Sequence, residues 1–214
     1  GWIEALILGI VQGLTEYLPV SSSGHIEIVG ALLGRSALPE ENLLFTVLVH
    51  VATALSTIVV FRQRIAEIFK GLFSKNSEQW QFAWMVVISM IPAALVGVLL
   101  EDQIAQLFAG NLLLVGICLC VTALMLFLAD KFNGTLSQIK LPQALAMGIA
   151  QAIAILPGIS RSGATIATGI LVKTEKSKAA EFSFLMVIPL IFGKIAKDIL
   201  EGQINYTSTN FTYL

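Results

Sequence analysis

Gln12-Gly13-Leu14-Thr15-Glu16-Tyr17-Leu18-Pro19-Val20-Ser21-Ser22-Ser23-Gly24-His25 interrupts an apolar region running from about residue 3 to 34. A membrane-crossing helix needs about 20 uninterrupted apolar residues, and neither half of this region reaches that length. Pro19 ends the first half, and the serine cluster supplies a cap and turn from which a second half-helix starts. The region therefore predicts a re-entrant hairpin. Irregular backbone at membrane depth is tolerated only where protein covers it or a polar cavity adjoins it, so the break should mark a site.

The rest of the chain supports a membrane setting. Of its 214 residues 56% are hydrophobic and 13% charged, and the mean hydropathy is +0.84, well away from the balance of soluble domains. A net charge of -1 provides no basic field for nucleic acid. Four stretches, 43 to 61, 80 to 100, 112 to 129 and 181 to 200, are long and apolar enough to span a bilayer. The region 142 to 173 is broken like the first, at Pro157-Gly158-Ile159-Ser160-Arg161-Ser162-Gly163-Ala164-Thr165. Cys118 and Cys120 are two apart in one apolar run, on different helix faces, and read as packing residues.

Sliding the sequence by 139 residues superposes the two broken regions. Gly9, Gln12, Ser21, Ser23, Gly24 and Gly30 fall on Gly148, Gln151, Ser160, Ser162, Gly163 and Gly169, and the two prolines miss register by one. Arg62, Arg64, Lys70 and Lys75 place the loop after the first span inside, whereas Glu101 and Asp102 lie in a loop without basic residues, placed outside. Lys131, Lys140, Lys173, Lys176 and Lys178 return the later loops to the inside, although Lys194 and Lys197 at the outward end of the last span run against this map. The hairpins then enter from opposite faces. The expected fold is a single all-α polytopic membrane domain over 1 to 214, an inverted-topology repeat whose two re-entrant hairpins meet near the bilayer midplane. Repeat 1 covers about 1 to 130 and repeat 2 about 142 to 214, the second lacking two counterpart helices, so a native protein about 60 residues longer is expected.

The breaks carry the chemistry. Gln12 and Glu16, four apart, project from one helix face. Helix starts at Ser21 to Gly24 and at Ser160 to Thr165 offer N–H groups and a positive dipole end to an anion. Ser21, Ser23, Gly24, Ser160, Ser162, Gly163, Thr165 and Gln12 are therefore candidate substrate-binding residues. An arginine at membrane depth is rare and fits phosphate bidentately, which singles out Arg161. A structural Glu16–Arg161 ion pair is the bland alternative, but it leaves the serines and His25 unexplained. His50, in an unbroken span, reads as a packed or hydrogen-bonded residue.

These two segments, with Glu181-Phe182-Ser183-Phe184-Leu185 after them, resemble the signature motifs of the undecaprenyl-pyrophosphate phosphatase family, and the resemblance covers essentially the whole chain. It implies hydrolysis of undecaprenyl pyrophosphate to the monophosphate carrier for cell-wall synthesis, a bacterial cytoplasmic-membrane location, a site open to the outer face, and Mg²⁺ or Ca²⁺ as cofactor. On the matching positions Glu16 resembles the metal-associated acid, with Gln12 beside it as second candidate ligand. Ser22 and His25 resemble the catalytic pair, and Arg161 the phosphate-binding arginine. Ser22, His25 or water remain alternative nucleophiles, with Ser22 preferred. The expected partners are the polyprenyl pyrophosphate and membrane lipids, with no nucleic acid, and a second copy in a homodimer is a further candidate. Broken inverted repeats also build carriers, so a lipid-phosphate flippase or anion transporter is the competing class.

Overall fold

The computed structural model describes residues 2–34, 43–100, 104 and 111–200. Nine helices lie among the described residues: α1 (Trp2–Thr15), α2 (Ser22–Leu32), α3 (Leu43–Val60), α4 (Arg62–Phe73), α5 (Ser77–Leu99), α6 (Leu112–Asp130), α7 (Leu141–Ile153), α8 (Arg161–Leu171) and α9 (Lys176–Leu200). The acidic loop at Glu101 and Asp102 and the polar stretch 203 to 213 lie outside the described residues.

Among the described residues three helices are long and apolar enough to cross a membrane: α5, α6 and Lys176–Lys197 of α9. They coincide with three of the four expected spans. The expected span 43 to 61 coincides with α3. The basic stretch beyond it, expected as a loop, is instead helical: residues Leu48–Val60 and Arg62–Phe73 meet at a bend of 77°. Every third or fourth residue explains it, since Arg64, Ile65 and Ile68 are partly covered while Arg62, Ala66, Phe69 and Phe73 are exposed. Arg64 holds α4 to α9 through Glu181 at 2.6 Å and lies over the Phe82 ring at 5.0 Å.

The outward surface is what lipid requires. Ile91, Leu95 and Val98 of α5 and Leu113, Ile117, Leu124 and Phe127 of α6 are all exposed, an arrangement that would be costly in water. The interior lies between α7, α8, α9 and the inner faces of α5 and α6. Phe182 meets Phe82 edge-on at 5.6 Å, and Ala144, Met147 and Met186 complete that cluster. Small residues let backbones approach, as they do between membrane helices. A Cβ on Gly148 would stand 2.5 Å from the Ser89 carbonyl oxygen, so α7 crosses directly on α5. Cys118 is buried and Cys120 exposed, so the two lie on different faces of α6 as their spacing predicted, and only Cys118 packs in the interior.

The two interrupted regions form helix pairs, α1 with α2 and α7 with α8, that pack within each pair. Their members have 14, 11, 13 and 11 residues, each short of the roughly 20 needed to cross alone. The intervening turns, 16 to 21 and 154 to 160, stand against each other and against α6. A Cβ on Gly24 would lie 3.2 Å from the Gly158 Cα and 3.4 Å from Val115 of α6, and one on Gly163 3.0 Å from the Pro19 carbonyl oxygen. Gly158 itself has φ +91°, a conformation glycine adopts without steric cost.

Candidate active site

Both turns are built by the same device. Ser21 caps α2, its Oγ accepting from the Gly24 N–H at 3.2 Å, and 139 residues later Ser160 caps α8, accepting from the Gly163 N–H at 3.0 Å. The serine pairs repeat as well, Ser21 with Ser23 at 3.3 Å and Ser160 with Ser162 at 3.4 Å. A capping side chain satisfies one of the unpaired N–H groups at a helix start and leaves others for a ligand. Ser21 has φ 65°, a left-handed conformation that costs a non-glycine residue about 1–2 kcal/mol. That strain turns the chain sharply after Pro19 and brings Ser22 back toward α1.

The polar side chains meet on Glu16. Its Oε1 accepts from Arg161 Nη2 at 2.9 Å. Its Oε2 accepts from Gln12 Nε2 at 2.7 Å and from the Ser22 hydroxyl at 2.5 Å. The Glu16 and Arg161 side chains are only 12% and 20% exposed, so the ion pair between the two turns is largely withdrawn from the surroundings. Arg161 Nη1 is buried and has no hydrogen-bond partner among the described residues. A guanidinium therefore presents one nitrogen to the acid and holds another without an acceptor, a costly state that an anion would relieve.

His25 is held differently. Its Nδ1 donates to the Ser21 carbonyl at 2.8 Å, which leaves Nε2 as the nitrogen with the lone pair. The bond that fixes Ser22 thus runs to Glu16, while the histidine is oriented by the backbone of the turn. Gln12, Ser21, Ser160, Ser162 and Thr165 are buried. The Thr165 hydroxyl lies 2.8 Å from the Arg161 carbonyl and 2.6 Å from Ser183 Oγ, so it secures the first turn of α8 from inside. His50 lies on an exposed face of α3.

Three supporting residues escaped the sequence reading. The Tyr17 hydroxyl reaches α3, donating toward the Thr53 carbonyl at 3.3 Å, with Ser56 Oγ and Thr57 Oγ1 also in contact. Its ring stands 5.9 Å from that of Phe184, which anchors the turn one residue after Glu16. Thr122 of α6 accepts the Ser160 N–H at 3.0 Å. Ser183 supports Thr165 from α9. A signal existed: Thr53, Ser56 and Thr57 share one face of an otherwise apolar helix, where a polar stripe needs a partner.

A divalent cation finds little to hold it in this arrangement. No group of three His, Cys, Asp or Glu able to hold a metal occurs among the described residues. The one acid of the cluster has both oxygens engaged by donors, so a cation fits Glu16 only in exchange for one of them.

Helices long and apolar enough to cross a membrane, around an ion-paired Glu16–Arg161 couple with a serine hydroxyl on the acid and a guanidinium nitrogen unpartnered among the described residues, define an integral membrane protein with a polar cluster between its helices. Residues 5–213 match the family model described as bacitracin resistance protein BacA, and the chain belongs to that family. It is 57% identical over 212 residues to the undecaprenyl-diphosphatase of Christiangramia forsetii, covering 99% of this chain and 80% of the relative. It is 50% identical over 202 residues to that of Parabacteroides distasonis, covering 94% and 75%. With the undecaprenyl-diphosphatase of Methanococcus vannielii the identity is 38% over 214 residues, covering 99% and 83%.

Proposed function

We propose that this chain is an undecaprenyl-diphosphatase, hydrolysing the lipid pyrophosphate to undecaprenyl phosphate and inorganic phosphate. One observation carries the proposal: Glu16 is bonded at once to the Ser22 hydroxyl and to Arg161, whose Nη1 is buried without a partner among the described residues. Nucleophile, acid and phosphate fork stand in one cluster. A carrier needs the arginine and the helix ends, but has no task for a serine hydroxyl held on a carboxylate.

In the proposed reaction the terminal phosphate lies against Arg161 and the N–H groups at the starts of α2 and α8, which neutralise the equatorial oxygens where charge gathers. Ser22 Oγ attacks the terminal phosphorus as its proton passes to Glu16 Oε2, the atom it already touches. The anhydride P–O bond breaks, and undecaprenyl phosphate leaves as a stable anion that needs no proton. Water then attacks the phosphoserine with His25 Nε2 accepting its proton. The serine–phosphorus bond breaks, Glu16 returns its proton to Ser22, and inorganic phosphate departs as His25 passes its proton to the surrounding water. Gln12 fixes the Glu16 carboxylate. Ser21, Ser23, Gly24, Ser160, Ser162, Gly163 and Thr165 shape the two helix starts. Were a divalent cation, Mg²⁺ or Ca²⁺, to accompany the pyrophosphate, Glu16 with Gln12 adjoining would be the residues to hold it in exchange for a present donor, and it would supply charge neutralisation.

The same proposal includes the architecture. The helix pairs α1–α2 and α7–α8 are re-entrant hairpins of an inverted repeat, 1 to 130 and 142 to 214, whose tips meet near the midplane of a bacterial cytoplasmic membrane. Support comes from the capping bonds repeated at an offset of 139 residues and from four half-helices too short to cross.

The test is release of phosphate from undecaprenyl pyrophosphate labelled with ³²P at the terminal phosphorus, by detergent-purified protein. Wild type releases label; Ser22→Ala and Arg161→Ala do not; His25→Ala retains label covalently on the chain. Wild-type protein that folds, binds the lipid and releases nothing would overturn the proposal in favour of a carrier.

A further inference from the structure

The cations of the bent segment after α3 divide into one that the fold uses and three that face outward. Arg64 is used: its Nε donates to Glu181 at 2.6 Å, its Nη1 to Glu67 at 3.3 Å and to Gln79 at 3.2 Å, and its guanidinium covers the Phe82 ring. Arg62, Lys70 and Lys75 are exposed. None of these three forms an ion pair among the described residues, and Arg62 donates to the Val59 carbonyl at 2.9 Å.

Helical spacing sorts α4 into faces. Arg64, Ile68 and Gly71 fall together, and this face rests on α5, where a Cβ on Gly71 would meet the Gln79 side chain. Arg62, Ala66, Phe69 and Phe73 form a second face, with Phe69 58% and Phe73 86% exposed. Lys70 stands beside it. The Trp80 indole, itself exposed, donates to the Leu72 carbonyl at 3.1 Å and so lies against the last turn of α4. Since α4 meets α3 at 77°, α4 lies close to the plane of the membrane when α3 runs along its normal. A helix in that plane, with aromatic residues on one side and cations beside them, binds through buried apolar area and attraction to anionic lipid.

Lys75 is an independent observation. The Asn76 N–H bonds to the Gly71 carbonyl at 2.8 Å and the Lys75 N–H to the Leu72 carbonyl at 3.4 Å, the closing pattern of a helix whose next residue is left-handed. That place ordinarily belongs to glycine, yet Lys75 occupies it with φ 55°. The helix dipole does not account for this, because Lys70 already supplies a cation in the last turn. What the Lys75 side chain meets outside the protein does.

We propose that α4 and the turn at Lys75 form a docking surface for anionic phospholipid headgroups: Arg62, Lys70 and Lys75 engage the phosphates while Phe69, Phe73 and Trp80 enter the acyl boundary beside them. Charge selects this occupant. The nearby acids are otherwise placed, Glu67 on Arg64 and Glu78 in the first turn of α5, where the dipole favours it. A zwitterionic headgroup brings its own cation to three unpaired ones and gains less. The loop charges put this surface at the inner leaflet. It uses no residue of the two hairpin turns, so it stands or falls apart from the phosphatase proposal. Each Lys or Arg near an anionic surface strengthens attachment about fivefold, and the attraction is screened as the Debye length shrinks from about 10 Å at 0.1 M salt to about 3 Å at 1 M.

Trp80 reports the lipid. Trp2→Phe with Trp84→Phe leaves it as the remaining tryptophan of three, and this protein is reconstituted in vesicles of mixed phosphatidylcholine and phosphatidylglycerol, one or the other brominated in its acyl chains near the headgroup. Quenching at equal mole fraction gives the relative affinity. Phosphatidylglycerol should be preferred about fivefold or more in low salt, and the preference should fall toward parity at about 1 M salt. Lys70→Gln with Lys75→Gln should remove it, and Lys70→Arg with Lys75→Arg should keep it. Lys75→Gly separates lipid from fold, because relief of the left-handed strain should raise the unfolding midpoint while the lipid preference drops. The selectivity of the protein with both lysines, and its salt dependence, decide the matter if a variant does not fold. Equal quenching by the two lipids overturns the docking surface, as does a preference that survives both the glutamine pair and high salt. Displacement of the brominated phosphatidylglycerol by equimolar undecaprenyl phosphate overturns the choice of occupant and makes the surface a site for the polyprenyl lipid.

Discussion

Replacing Arg161 by Met removes the one ion pair that joins the two turns among the described residues, at 2.9 Å and with side chains 20% and 12% exposed. Opposite unit charges about 4 Å apart attract by about 4 kcal/mol at an effective dielectric constant near 20, and breaking a buried pair from one side costs about 3–5 kcal/mol. Glu16 keeps two donors, Gln12 and Ser22, which places the expected loss near the lower end, about 3 kcal/mol. For a chain of this length that corresponds to a fall of about 6–12 °C in the unfolding midpoint. Cys118 is 5% exposed and Cys120 is exposed, so in a Cys120→Ser background a thiol-reactive fluorophore reports unfolding through Cys118 in detergent. Arg161→Met and Glu16→Gln should each lower the midpoint. The double variant should lie well above the sum of the two losses, because it leaves no uncompensated charge. Strictly additive losses, or an Arg161→Met midpoint within about 1 °C of wild type, would refute the view that this pair holds the turns together.

Two further outcomes follow from the caps. Thr122→Val keeps the shape of the side chain but removes the acceptor 3.0 Å from the buried Ser160 N–H; it should cost about 1–3 kcal/mol in the same thermal assay, with phosphate release reduced in parallel, and an unchanged midpoint would show that α6 does not seat the second turn. Ser21→Ala loses the bond to Gly24 while keeping the strained φ of 65°, whereas Ser21→Gly loses the bond and relieves the strain, so the glycine variant should be the more stable by about 1 kcal/mol; the reverse order would mean that the turn relaxes when its cap is lost.

Much of this site was legible because lipid makes polar residues conspicuous. Pro19, the serines after it, and Arg161 could be singled out from sequence since each breaks an apolar run that has no local reason to be broken. The i, i+4 spacing of Gln12 and Glu16 foretold their contact, and Ser21 and Ser160, each three residues before a glycine, foretold the two caps. The three long apolar helices α5, α6 and α9 were legible for the same reason, since length and hydropathy alone identify them. Helix α4 was not, because its apolar residues are diluted by Arg62, Arg64, Glu67 and Lys70 and its existence depends on the packing of Arg64 against Glu181 and Phe82.

What sequence left open is the choice of partner. Ser22 is three residues before His25 in one helix, and that proximity favours pairing them; the observed bond runs instead to Glu16, in the preceding half-helix. The left-handed φ at Ser21 turns the start of α2 so that Ser22 faces back across the break while His25 Nδ1 is taken by the Ser21 carbonyl. Spacing fixes which residues share a helix face, but a single backbone torsion at a helix start decides what that face looks at. The same reasoning applies to Tyr17. Its hydroxyl had to find a partner in an apolar setting, yet whether that lay in substrate or in α3 was set by the approach of α3 to the hairpin, a contact between segments some 36 residues apart. Anchored there, Tyr17 holds the backbone next to Glu16 while Thr122 holds the backbone next to Arg161. Both ends of the ion pair are thus tethered to long helices.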